Sequence, residues 1–302
     1  MEAVRTAPDR FASLGGFSWP PVWLEDLPGF TGLRAATIDE GPRDADRTFL
    51  CLHGEPTWSY LYRKMIPVFL ASGARVVAPD FFGFGRSDKP VRDEDYSFHF
   101  HRDFLLRLIE RLDLQRIVLV VQDWGGLLGL TLPVDEGARI RIEGLVVMNT
   151  ALALGEPLTP GFEAWRAYAA SQPDLAVGAL MRRGTSVLTE NDVAAYDAPF
   201  PDARHKAGVR AFPRLVMTSP DMPGVAESRA ARDFWANGWR GRAFMACGAR
   251  DPVFSPEHME VLRRQIRGCP EPMILPEAGH FVQEWGEPIA RRALEVLGPP
   301  RP

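Results

Sequence analysis

The sequence is short of the features that mark secreted, membrane-embedded or polyanion-binding chains. It has three cysteines, Cys51, Cys247 and Cys269. An odd number, with two inside apolar runs, argues against a disulfide framework or a metal cluster and for reduced thiols in the core. No stretch approaches the roughly 18 consecutive apolar residues a membrane span needs, and residues 1–21 carry Arg5, Asp9 and Arg10 where a signal peptide would be apolar. A soluble, cytoplasmic protein is the expectation. Positive charge is not in surplus either: a net charge of −4 and a pI near 5.9 make nucleic acid and anionic membrane poor partners. Repeats and biased tracts are missing too. What remains is an ordinary globular composition over 302 residues, 46% hydrophobic and 25% charged, enough for one large α/β unit. A monomer acting on a small ligand is expected.

From residue 47 onward, short apolar or β-branched runs alternate with helical patterns, as parallel βαβ units do. Strands are expected at Thr48–His53, Arg75–Pro79, Arg116–Gln122, Leu145–Met148, Arg242–Cys247 and Pro272–Leu275. Between Asp103 and Leu112, Phe104, Leu105, Leu108, Ile109 and Leu112 recur at helical spacing, with Arg107, Glu110 and Arg111 opposite. The alternation stops near Gly155. To about Val225 no buried strand is visible, and helical pieces are punctuated by prolines from Pro160 to Pro223. A structureless loop of that length is rare in a compact protein. The expected organisation is therefore a core domain of residues 1–154 and 226–302, with a helical cap (lid) domain inserted at 155–225.

Ile117–Val121 runs directly into Gln122-Asp123-Trp124-Gly125-Gly126 and then into the helical Leu127–Leu132. A strand entering a helix through a tight, glycine-flanked turn is the nucleophile elbow of α/β hydrolases, in which serine usually holds the place taken here by aspartate. The turn exposes its central residue at the carboxyl end of the sheet and aims the free N–H groups of the helix at developing negative charge. Taken alone, Asp123 could equally be a helix N-cap. The order of the remaining candidates favours the nucleophile. Asp251 follows the strand Arg242–Cys247, and His280 follows the next strand in Glu277-Ala278-Gly279-His280. Nucleophile, acid, histidine, each after a strand end, is the α/β-hydrolase order. His99, His101, His205 and His258 lack that setting and read as solvated or structural.

The loop His53-Gly54-Glu55-Pro56-Thr57-Trp58 follows a strand at the place where such enzymes hold an oxyanion. The backbone N–H groups of Glu55 and Trp124 are the expected donors. Four motifs, HGEPTWS (53–59), PDFFGFGRSDKP (79–90), VVQDWGG (120–126) and EAGHFVQE (277–284), resemble those of haloalkane dehalogenases and their epoxide-hydrolase relatives, and the resemblance extends from about residue 20 to 297. It implies an α/β-hydrolase fold: a mainly parallel sheet flanked by helices, with the helical cap above.

Aspartate at the elbow selects the chemistry. A carboxylate displacing a leaving group from saturated carbon leaves an ester that activated water hydrolyses, whereas serine would leave an inert ether. Aspartate is ionised at neutral pH without help, so His280 is free for the second step. Ordinary esterase, lipase and peptidase readings are thereby excluded. If the leaving group is a halide, it needs donors in a dry pocket. The indole N–H suits this because it brings no acceptor to repel an anion, and Trp124 is the first candidate. The resemblance supplies the second: one dehalogenase subfamily uses a lid tryptophan, and Trp165 matches that place. Glu55 stands where other dehalogenases have asparagine, and Asn149 where some have their acid. Both departures point to the same subfamily, with Asp251 as acid.

Epoxide hydrolysis is the alternative, with the same triad and with Tyr168 and Tyr196 of the lid polarising the oxygen. Phe162 is expected in the pocket wall, although any lid phenylalanine could be core. The resemblance thus implies hydrolysis of a haloalkane by water to an alcohol and halide, a detoxifying activity, with no metal or organic cofactor.

Overall fold

The computed structural model describes residues 1–157 and 159–300. Its centre is an eight-stranded sheet: Val22–Leu24 (β1), Ala35–Glu40 (β2), Thr48–Leu52 (β3), Arg75–Pro79 (β4), Ile117–Gln122 (β5), Ile142–Met148 (β6), Arg242–Gly248 (β7) and Met273–Leu275 (β8), in spatial order β8-β7-β6-β5-β3-β4-β2-β1. Strands β3 to β8 pair in parallel, and β2 pairs antiparallel with β1 and β4. Every residue of β3, β4 and β5 is buried, as expected of strands covered on both faces. The mainly parallel hydrolase sheet anticipated from the sequence is present, and all three cysteines are buried and unpaired.

Six strands fall where apolar runs place them. Strand β6 begins earlier than expected because Glu143 and Gly144 interrupt its apolar pattern without ending the pairing. The antiparallel pair β1 and β2 has no counterpart in the sequence reading. Strand β2 reads Ala-Ala-Thr-Ile-Asp-Glu, and its buried Asp39 is matched by Arg75 of β4 at 2.8 Å, so a polar residue fills a position that pattern alone assigns to a loop.

The helices are Ile66–Ala71 (α1), Phe98–Arg111 (α2), Trp124–Gly129 (α3), Glu136–Arg139 (α4), Pro160–Ser171 (α5), Val177–Gly184 (α6), Glu190–Asp197 (α7), Ala207–Leu215 (α8), Val225–Asp233 (α9), Pro256–Gln265 (α10) and Gly286–Leu297 (α11). None among the described residues is long and apolar enough to cross a membrane. Helix α2 starts five residues before the stretch read from periodicity, because the Ser97 side chain caps the Phe100 N–H at 3.1 Å. Between β6 and β7 the described residues form helices and no strand. Thr159 caps α5, and Thr189 with Asp192 forms a capping box on α7.

Register puts the site together. Leu52 pairs with Val121, Gln122 with Met148, Met148 with Ala246, and Gly248 with Leu275. The carboxyl ends of β3, β5, β6, β7 and β8 therefore finish level, and the segments that follow carry Glu55, Asp123, Asn149, Asp251 and His280. Helix α7 is fastened over this edge by buried polar contacts. Arg63 donates to Glu284 and Asp192, each at 2.7 Å, the Tyr196 hydroxyl donates to Glu284 at 2.5 Å, and the Trp58 indole donates to the Ala195 carbonyl at 3.1 Å.

A buried ion pair gains little over an apolar replacement, but removing one partner strands the other. Arg63→Met should therefore lower the unfolding free energy by about 3 kcal/mol, because Lys64, the remaining cation at Glu284, is partly solvated. Urea denaturation checks this, with an unchanged slope and a lower midpoint expected.

Candidate active site

The turn from β5 into α3 is strained at its central residue. Asp123 has φ 49° and ψ −126°, a region costing of order 1–3 kcal/mol for a residue with a side chain. Four hydrogen bonds hold it there. Its N–H donates to the Asn149 carbonyl at 3.0 Å and its own carbonyl accepts from the N–H groups of Gly126 and Leu127 at 2.9 and 3.0 Å, while the Thr150 hydroxyl adds a fourth at 2.7 Å. The two glycines that follow serve close approach: a Cβ on Gly125 would lie 2.0 Å from the Leu52 carbonyl oxygen, and one on Gly126 2.1 Å from the Thr150 hydroxyl. Asp123 occupies the N-cap position of α3, yet its side chain makes no capping bond. The carboxylate lines a cleft of about 610 Å³ instead.

The Glu55 N–H donates to Asp123 Oδ1 at 2.7 Å. Gly54 allows this approach, since a Cβ there would sit 2.2 Å from the same oxygen. His53 organises the loop: its Nδ1 donates to the Gly54 carbonyl at 2.8 Å and its Nε2 accepts from the Phe81 N–H at 2.9 Å, which fixes a neutral tautomer. The Trp124 amide, first in α3, has no acceptor among the described residues.

His280 lies between two aspartates, with Nε2 3.3 Å from Asp123 Oδ2 and Nδ1 donating to Asp251 Oδ2 at 2.8 Å. Burial pulls the imidazole pKa down, but the charges of Asp251 and Asp123 and their hydrogen bonds outweigh it and raise the value to about 10. Burial pushes the Asp251 carboxyl up; His280 and the backbone N–H groups of Val253 and Phe254 prevail and hold it below its ordinary value.

Two supporting residues were missed by the sequence reading. Asn149, noted there only as the place of an acid in other enzymes, donates through Nδ2 to Asp251 Oδ2 at 2.8 Å and accepts the Gly248 N–H at 2.9 Å. Gln122 places its amide nitrogen 2.9 Å from His280 Nε2 and 3.1 Å from the His280 carbonyl. The available signal was position, each standing at a strand end beside a candidate.

The cleft brings together Asp123, Trp124, Glu55, Asp251 and His280 with Phe162, Trp165 and Tyr168 of α5. Trp124 packs on Phe212 with ring centres 4.7 Å apart, and among the described residues neither the Trp124 nor the Trp165 indole N–H meets an acceptor. Tyr196 is not in the cleft: it is fully buried and bonded to Glu284. The tyrosine pair required by the epoxide alternative is therefore not assembled. The PDFFGFGRSDKP segment is scaffolding, with Asp80 accepting the N–H groups of Ser59 and Arg86 at 2.8 Å each and Lys89 donating to the carbonyls of Gly85 and Ser87. An open groove of about 660 Å³ along α1 and α11 holds none of the candidates.

One carboxyl stands apart. The Glu55 side chain is buried, and its Oε1 has no protein partner among the described residues. Burial, and next the charge of Asp123, raise its pKa well above 4.5, against a smaller opposing effect of His280. A carboxyl whose folded pKa is raised adds no penalty below its unfolded value, and destabilises the fold increasingly as pH climbs from there towards the folded one. Glu55→Gln should therefore raise Tm at about pH 8 and leave it unchanged at about pH 4, as checked by calorimetry at both values.

Residues 47–287 match the family described by the alpha/beta hydrolase fold. "Haloalkane dehalogenase 1" of Mycobacterium tuberculosis is 44% identical over 298 residues, covering 97% of this chain and 98% of that enzyme. The haloalkane dehalogenase of Psychrobacter cryohalolentis is 38% identical over 305 residues, covering 98% of each. Among solved structures, the haloalkane dehalogenase DpaA of Paraglaciecola agarilytica, a tetramer, superposes with a TM-score of 0.96 at 50% identity over 98% of both chains. An aspartate at the elbow, a histidine between two carboxylates, and relatives that match over nearly the whole length lead to one conclusion: the chain belongs to the haloalkane dehalogenases of the α/β-hydrolase fold.

Proposed function

We propose that Asp123 attacks the halogen-bearing carbon and that His280, partnered by Asp251, directs water onto the resulting ester. The protein is a hydrolase acting on carbon–halide bonds, turning a haloalkane and water into an alcohol, a halide ion and a proton. The observation that carries the assignment of roles is the Asp123–His280–Asp251 line, with separations of 3.3 and 2.8 Å at the floor of the cleft.

In the first step an Asp123 oxygen forms a bond to carbon as the carbon–halogen bond breaks, and the pair of electrons leaves with the halide. The indole N–H groups of Trp124 and Trp165 hold that anion. Support for the pair comes from their shared place in the cleft, from Glu55 standing where an asparagine donor would be, and from Asp251, not Asn149, receiving the His280 Nδ1 proton. In the second step His280 Nε2 takes a proton from water and the hydroxide adds to the Asp123 ester carbonyl. The N–H groups of Glu55 and Trp124 hold the oxyanion until the acyl C–O bond breaks and the alkoxide leaves as alcohol with the proton His280 took from water.

Charge orders the two steps. While Asp123 is a carboxylate, it and Asp251 favour the imidazolium. Once Asp123 is esterified, its charge is gone, the imidazole releases its proton more readily, and the Gln122 amide is placed to donate to the neutral Nε2. The ring becomes a base only when there is an ester to hydrolyse.

We further take residues 155–225 as a cap domain over the core, with Phe162 in the pocket wall. The single-chain state expected from the sequence competes with the tetramer of the Paraglaciecola relative, and sedimentation mass distinguishes them.

Incubating His280→Phe with 1-bromobutane should leave the alkyl ester in place, seen as a butyl mass increment on the Asp123 peptide. A label elsewhere, or none alongside released bromide, would contradict the roles. Trp165→Phe should weaken bromide binding by about tenfold or more, since a lost hydrogen bond to a charged group costs about 1.5–3 kcal/mol. Bromide inhibition of turnover measures it, and an unchanged constant would remove Trp165 from the halide site.

A further inference from the structure

Helix α5 brings Phe162, Trp165 and Tyr168 to the cleft, yet Ala169 is its only buried residue. A helix so lightly packed is placed by few contacts, and one close approach is made by a residue without a side chain. A Cβ on Gly161 would lie 1.9 Å from the Pro252 carbonyl oxygen and 2.9 Å from its carbon, so the first turn of α5 rests backbone against backbone on the segment just after Asp251. Conformation does not require glycine there, because Gly161 is helical and without positive φ. Alanine is the better helix former. What glycine provides is the close approach.

We propose that Gly161 is a positioning residue for the halide site, setting the Trp165 indole against the Asp251 turn. The proposal rests on Trp165 being a halide donor. Gly161 and Trp165 are four residues apart on one helix and so share a face; whatever lifts Gly161 off Pro252 carries Trp165 with it. Of the two surfaces in contact, the turn is the stiffer. Asp251 Oδ1 accepts the Val253 N–H at 2.8 Å, and Asn149 Nδ2 bonds both Asp251 Oδ2 at 2.8 Å and the Phe254 carbonyl at 3.1 Å. A methyl group added at Gly161 therefore displaces the helix and leaves the triad acid in place.

The test is Gly161→Ala, alone and combined with Trp165→Phe, read by bromide inhibition, single-turnover ester hydrolysis and Tm. The single variant is expected to weaken bromide inhibition by about fivefold while ester hydrolysis stays at the parent rate. Its Tm should stay level or fall by a few degrees, since the helix preference of alanine is set against the cost of parting two packed backbones. In the Trp165→Phe background the same substitution should change bromide inhibition no further. Three results would overturn the proposal: unchanged bromide inhibition in Gly161→Ala, an equal loss with and without Trp165, or slowed hydrolysis with bromide inhibition intact, which would mean that the turn had moved. If Trp165→Phe alone leaves inhibition unaltered, the donor reading itself has failed, a result distinct from the other three.

Discussion

The site depends on a backbone constraint: Asp123 held in a left-handed conformation between the ends of three strands. Its N–H is bound by the residue after β6, its carbonyl by Thr150 and by α3, and its carboxylate by the loop after β3. The bonds come from separate pieces of chain, so relaxing the turn would require breaking several of them together. Strain of this kind survives only where the surroundings over-determine it. The level ends of the parallel strands supply such surroundings, with glycines where the neighbouring backbones must touch.

Given that placement, the electrostatics follow from environment. Three carboxyl groups, Glu55, Asp123 and Asp251, surround one imidazole. Asp251 is buried but saturated with donors, and stays anionic. Glu55 is buried without them, and its pKa is pushed up. Asp123 is the least buried of the three. Glu55 and Asp251, of nearly the same intrinsic acidity, are thus separated by desolvation and hydrogen bonding. The raised pKa of Glu55 also matters to the proposed chemistry, because a second anion beside Asp123 would oppose the negative charge that builds on the leaving halide in the first step.

How much of this was legible in the sequence depended on how local each cause is. Ile117–Gln122 announces a buried strand, and the change to Asp-Trp-Gly-Gly announces the turn, because both patterns are set by neighbours along the chain. Chain order placed Asp251 and His280, since each follows a strand whose apolar run is plain. The antiparallel β2 stayed hidden because its Asp39 is held in the sheet by Arg75 of another strand. Asn149 was noticed for what it is not, an acid, while its support of Asp251 depends on β6 and β7 lying side by side. Tyr196 is the sharpest case: a tyrosine in the right stretch of sequence, claimed by Glu284 nearly ninety positions away. Pattern reports composition at a place in the chain; partnership across the fold decides what that composition does.

The same distinction applies to helices α5 and α7. Helix α7 is tied to the core by charged and hydrogen-bonded groups that exact geometry must satisfy, and shifting it would leave buried ions unpaired. Helix α5 has no comparable tie, and mainly small or half-exposed residues face its neighbours. A small displacement of α5 therefore costs less than the same displacement of α7. The cleft thus has a fixed floor and one adjustable wall. Since Phe162, Trp165 and Tyr168 all stand on that wall, changes in the size of the accepted alkyl group have a physical route that leaves the strained turn and its hydrogen bonds untouched.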